Sequence, residues 1–75
     1  MNHLMLMIEV YKKLLGNYKY LERIRNKQAL LYDEGKFNEA RELNREIIER
    51  HISIDAYEYV INCNRAIESE ELHEQ

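Results

Sequence analysis

The residues able to do chemistry are few, and their spacing completes no catalytic or metal-binding set. His51 and Asp55 stand four apart, so a helix would place both on one face as a proton pair or a two-ligand metal contact. Two ligands fall short of the four that a structural zinc takes. Glu39, Glu42, Glu46 and Glu49 recur at 3-4-3 spacing. They can line one helical face as divalent-ion ligands, but a solvated charged face needs only the same pattern. Cys63 is the single cysteine, and no His lies at helical spacing from it to act as a base. It reads as a small buried hydrophobe. No Gly-rich phosphate loop, paired-Cys motif or HExxH sequence is present. The expectation is no catalytic residue, no metal, no cofactor and no enzymatic activity.

The elements that would carry these residues are helices. The chain has 75 residues, of which 45% are hydrophobic and 33% charged, with a net charge of −3. That composition excludes a disordered chain, a disulfide scaffold and more than one domain. Pro is absent, and Gly occurs only at 16 and 35. Few points therefore force a helix to stop. Asp33-Glu34-Gly35-Lys36 is the strongest break, because Gly suits the left-handed position that ends a helix. Helix one is expected over 3–34, capped by Asn2, and helix two over 38–68, capped by Asn38. The acidic segment 69–75 is expected to fray as a tail outside a domain spanning 1–68. Met1 to Val10 contains an apolar run, but Glu9 follows Ile8 and no basic residue precedes it. That pattern is neither a signal peptide nor a membrane span, so a cytoplasmic location is expected.

Heptad spacing sets the architecture. Met7, Leu14, Leu21 and Gln28 form one row of helix one, and Val10, Asn17, Ile24 and Leu31 the other. In helix two the rows are Ala40, Ile47, Ile54, Ile61 and Leu43, Arg50, Tyr57, Asn64. Folding about Gly35 brings Leu31 to Ala40, Ile24 to Ile47 and Val10 to Ile61. The fold class is therefore all-α, an antiparallel helical hairpin about 45 Å long at 1.5 Å per residue. Its seam comprises Leu14, Leu21, Ile24, Leu31, Leu43, Ile47, Ile54 and Ile61. Gly16-Asn17 can bend helix one, and Ser53 can restart helix two. The latter break would give the alternative fold, a three-helix bundle.

More apolar surface remains than one seam can use. Leu4, Ile8, Tyr11, Leu15 and Tyr18 follow 4-3-4-3 spacing on helix one, and Ile48, Ile52, Tyr59, Val60, Cys63 and Ile67 lie outside the seam of helix two. The interface residues are taken as Leu4, Ile8, Tyr11, Leu15, Ile52, Tyr59 and Val60. Two hairpins joined there would form a four-helix bundle, so a homodimer or a protein partner is expected. Charge is divided as well. Residues 1–32 hold six basic and two acidic side chains, and residues 33–75 hold five basic and twelve acidic ones. The basic half, with Lys12 to Lys27 and interleaved Tyr, permits nucleic-acid binding, and the acidic half permits nucleic-acid mimicry. The net negative charge makes nucleic acid an unlikely partner, and no membrane is expected.

Two resemblances attach to these segments. Gly35-Lys36-Phe37-Asn38-Glu39-Ala40 resembles the turn of a tetratricopeptide hairpin, although Lys27 and Gln28 replace the Leu-Gly pair usual upstream. Leu21-Glu22-Arg23-Ile24-Arg25-Asn26-Lys27 through Glu34-Gly35-Lys36 is similar to the first helix and turn of the small sporulation-control aspartyl-phosphate phosphatases. Those are helical hairpins that dephosphorylate response regulators through an S-x-E-L-D motif. Here Ala40-Arg41-Glu42-Leu43-Asn44 puts Ala for Ser and Asn for Asp. Asn carries no carboxylate, so the resemblance implies docking on a signalling protein rather than catalysis, with phosphatase-like regulation as an alternative. The leading expectation is a small non-enzymatic regulator that binds a partner, or itself, through an exposed apolar helical face.

Overall fold

A computed structural model describes residues 3–74, with side chains over 3–70. Three helices follow one another: α1 (His3–Asp33), α2 (Phe37–Glu42) and α3 (Asn44–Glu74). No strand occurs among the described residues. α1 forms one arm, and α2 with α3 returns antiparallel as the other. The expected cap at Asn2 lies outside the described residues.

The turn is closed by backbone chemistry. Gly35 takes φ +77, where a Cβ would be strained. Lys36 N–H donates to Leu31 O at 2.8 Å, and Gly35 N–H donates to Tyr32 O at 3.0 Å. This six-to-one and five-to-two pair is a Schellman ending, which satisfies carbonyls left open at the end of α1. Tyr32 and Phe37 pack across it, with ring centroids 6.0 Å apart. α2 then begins at Phe37, one residue earlier than expected, with Lys36 rather than Asn38 at its N-cap.

The second arm breaks, but at Leu43 rather than Ser53. Leu43 N–H donates to Ala40 O at 3.2 Å, a tightened i to i−3 bond, and Ile47 N–H donates to Leu43 O to start α3. Gln28 supplies the cause. Its Nε2 lies 2.8 Å from Ala40 O and 2.8 Å from Asn44 Oδ1, so one amide from α1 bridges both sides of the break. Ser53 lies inside unbroken α3, so the restart and the three-helix bundle that depended on it are not formed. Gly16-Asn17 does not bend α1 out of helical geometry either. Asn17 Nδ2 donates to Lys13 O at 2.7 Å, which keeps the polar side chain bonded to its own helix.

The seam lies along the expected rows. Met7, Leu21, Ile24, Ala40, Ile54 and Ile61 are buried, and Leu14, Leu31, Leu43 and Ile47 are half-buried. Two polar rungs interrupt it. Gln28 with Asn44 forms one, and Arg50 the other. Arg50 Nη1 donates to Asn17 Oδ1 at 3.2 Å, and its guanidinium lies 3.9 Å from the centre of the Tyr20 ring. Such stacking lets a charged group sit half-buried without losing its contacts.

The molecule measures 60 × 21 × 15 Å, longer than expected. The reason is the second arm, whose helical backbone continues to Glu74 instead of ending at 68. The segment 69–74 is therefore helix, and the side chains of 71–75 lie outside the described residues.

The two glycines should respond in opposite directions to alanine. Neither would bring a Cβ within 4 Å of a neighbour, but only Gly35 has positive φ. Gly35→Ala should lower stability by about 1 kcal/mol, and Gly16→Ala should raise it by roughly 0.5–1 kcal/mol. Urea unfolding followed by circular dichroism reads both, and shifts of the same sign would contradict the backbone assignment.

Candidate functional site

The hairpin has two open flanks beside its seam. On the first, Tyr18 donates its hydroxyl hydrogen bond to Glu58 Oε1, and Arg25 Nη2 lies 2.8 Å from His51 Nε2. Arg can only donate, so the His ring nitrogen is the acceptor in that contact. On the second flank, Arg50 covers Tyr20 and a hollow opens between Tyr20, Arg23, Ile24, Lys27, Leu43 and Glu46. These cross-seam contacts fix which face each residue occupies.

The α1 stripe falls on the first flank. Leu4, Ile8, Tyr11 and Leu15 follow one another at helical spacing there, and Tyr18 ends the row. All remain open: Leu4 is 68% exposed, Ile8 45%, Tyr11 45% and Leu15 54%. Across the seam from them α3 presents polar groups. Tyr11 and Leu14 share a hollow with Glu58, Ile61, Asn62 and Arg65. The stripe is thus bordered on one side by hydrogen-bonding side chains and on the other by Met5, Glu9 and Lys12. Lys12 is paired with Glu9 at 3.6 Å.

The α3 members of the expected interface lie elsewhere. Ile52 and Tyr59 stand seven apart on the outer face of α3 and are its most exposed large hydrophobic residues. Val60 precedes buried Ile61 and lies on the second flank, away from Glu58. The seven residues therefore form separate surfaces, of which only the α1 stripe is continuous. Cys63, expected to be buried, is exposed. Its hydrogen bond with Tyr59, one turn earlier, raises the Tyr59 phenol above its ordinary pKa.

The chemistry-bearing residues are dispersed. His51 bonds across the seam to Arg25 through Nε2. Ala40 and Asn44, at the phosphatase-like positions, form the α2–α3 junction, where Gln28 holds the Ala40 carbonyl and the Asn44 amide. Among the described residues no three His, Cys, Asp or Glu side chains converge to hold a metal ion. Nor is any described helix long and apolar enough to cross a membrane. Sequence reasoning located the stripe but missed its polar border, because i to i+4 spacing says nothing about the facing helix.

The clasp that ends the stripe should weaken at high pH. The hydrogen bond to Glu58, then partial burial and the charges of Glu58 and Asp55, raise the Tyr18 phenol above 10.0. The bond needs the phenolic proton, so its contribution is fully present below pH 10.0 and is lost as pH rises through the raised value. Tyr18→Phe should melt lower than wild type at pH 8, with the gap closing toward pH 11. A gap independent of pH would show that the hydroxyl bond contributes nothing.

Compared with known proteins, the chain matches no family model, no curated sequence and no solved structure.

Proposed function

We propose that this chain is a small non-enzymatic binding protein that docks on a protein surface, its own or another's, through Leu4, Ile8, Tyr11 and Leu15. The observation that carries this reading is the continuous open stripe on α1. Single exposed apolar residues are ordinary on any protein, whereas a contiguous row rimmed by polar groups marks an interaction surface. Covering the surface that each aliphatic member still exposes contributes on the order of 1 kcal/mol. Tyr11 suits such a surface because its ring packs while its hydroxyl reaches water or a polar partner.

Stability supports the same reading. A chain of this size hides little of its surface when folded alone, and such chains commonly gain stability from a partner. Among the described residues six hydrophobic side chains of the seam are buried, and none is large and fully enclosed. A second helical layer laid on the stripe would turn the thin hairpin into a bundle. A four-helix bundle of two copies is one form of that layer, and a helical segment of a regulated partner is another.

Replacing Tyr11 with benzoylphenylalanine tests the surface in the native cell. Irradiation should give a covalent protein adduct from position 11 and none from the same probe at Lys27. Ile8→Asp should abolish the adduct while leaving helix content unchanged. The adduct's mass separates self-association from a different partner. No adduct at position 11 would overturn the reading.

A further inference from the structure

We infer that the back of α1 docks on the phosphate backbone of a nucleic-acid duplex. This face is separate from the apolar stripe and does not depend on it. Lys12, Lys19, Arg23 and Lys27, with Gly16 as an uncharged gap, follow one another at 4-3-4-4 spacing. They form one ridge about 22 Å long at 1.5 Å per residue. Lys12 and Lys19 lie opposite the midline of the two seam rows, and Lys13 joins Tyr20 and Lys27 on the second flank. All five cations are exposed. Glu22 is the sole acid between Val10 and Tyr32, and it lies on the first flank in a hollow with Arg25 and His51.

Most of these cations lack a counter-charge. Lys12 pairs with Glu9 at 3.6 Å, in the open. The side chains of Lys13, Lys19, Arg23 and Lys27 form no ion pair or hydrogen bond with described residues. Two acids stand near the Lys27 end. Glu46 lines the hollow with Arg23 and Lys27, and Glu39 precedes Ala40, whose carbonyl Gln28 holds. Neither closes an ion pair with the ridge. Beyond Glu46, the α3 row bordering this flank continues through Ser53 and Val60, which carry no charge. The net charge of −3 does not oppose the inference, because the charges are divided by arm. Residues 33–75 hold twelve acids against five bases. The ridge is turned away from that arm across a helix about 10 Å thick. The Debye length at physiological salt is about 8 Å, so a strand on the back of α1 is largely screened from the acids of α3.

The make-up of the ridge selects the partner. Protein interfaces are built around apolar and aromatic anchors. From Lys12 to Lys27 the ridge offers no such anchor, since Leu15 and Tyr18, the exposed large hydrophobic residues of that stretch, lie on the first flank. Contact here is made by charge alone, which is how proteins hold a phosphate backbone. A duplex fits better than a single strand. Single strands are gripped by stacking bases on aromatic rings, and Tyr20, the ring on this side, already lies under Arg50 at 3.9 Å.

The test uses the full chain and a fluorescein-labelled DNA duplex, read by fluorescence anisotropy over a range of salt. Binding should appear at low salt with a Kd on the order of 10 μM. Log Kd against log salt should rise with a slope of about 3, as for three or four phosphate contacts. Lys19→Gln with Arg23→Gln should weaken binding roughly tenfold or more and lower the slope by about 2. Arg41→Gln with Arg45→Gln removes the same charge from the other arm and should leave the affinity close to wild type. Both variants should keep wild-type helix content by circular dichroism. No binding at low salt, or equal losses in the two variants, would overturn the inference. A labelled single strand bound more tightly than the duplex would overturn the duplex as partner. A poly-glutamate peptide bound as tightly as the duplex would overturn nucleic acid in favour of an acidic protein.

Discussion

Two helices touch along one line. Every other property of this molecule follows from that restriction. A helix turns about 100° per residue, so a single facing partner covers only one stripe of it. The line formed by Met7, Leu21, Ile24, Ala40, Ile54 and Ile61 takes what the two arms can hide from water together. Leu4, Ile8, Tyr11 and Leu15 point roughly a quarter-turn away from that line. No rearrangement of the same two helices can cover both rows, since rolling α1 to bury one would expose the other.

The polar rungs explain why α1 does not roll. Arg50 bonds Asn17 and lies over Tyr20, and Gln28 bonds Ala40 and Asn44. Each contact exists in one rotation and one register of the two arms. Slipping or rolling would strand a half-buried guanidinium and free the amide that bridges the α2–α3 break. An unpaired polar group in a packed seam costs more than a bonded one contributes. The rungs weaken the seam as a hydrophobic contact but exclude its alternatives, and in doing so keep the second stripe outward.

This also separates what was legible in the sequence from what was not. The seam rows could be read because heptad spacing is local to each helix, and all eight expected seam residues are buried or half-buried. Gly35 could be read because its positive φ is a property of one residue. The break at Leu43 could not. It depends on Gln28, a residue on the other arm, choosing the Ala40 carbonyl, and no local pattern encodes that choice. Ser53 has the residue type of a cap but lacks a reason to stop the helix, since nothing across the seam competes for its backbone. Cys63 was misplaced for a related reason. Its side chain lies outside both heptad rows, and a residue's general tendency to be buried yields to the direction in which its helix faces it. For the stripe, spacing identified the members on each helix. Only the cross-seam contacts revealed that Ile52, Tyr59 and Val60 do not join Leu4, Ile8, Tyr11 and Leu15.

The separation of those two groups bears on function. Isolated exposed apolar residues on α3 sit among acids: Asp55 and Glu58 lie between Ile52 and Tyr59. A partner approaching there must strip water from carboxylates to reach one side chain at a time. The α1 row lets a partner cover four apolar residues in succession, and two of the charged groups beside it already have bonds of their own. Lys12 is held by Glu9, and Glu58 by Tyr18. Their desolvation is therefore partly offset before any partner arrives. The face best suited to binding is thus the one where apolar side chains are continuous and Lys12 and Glu58 beside them are already bonded.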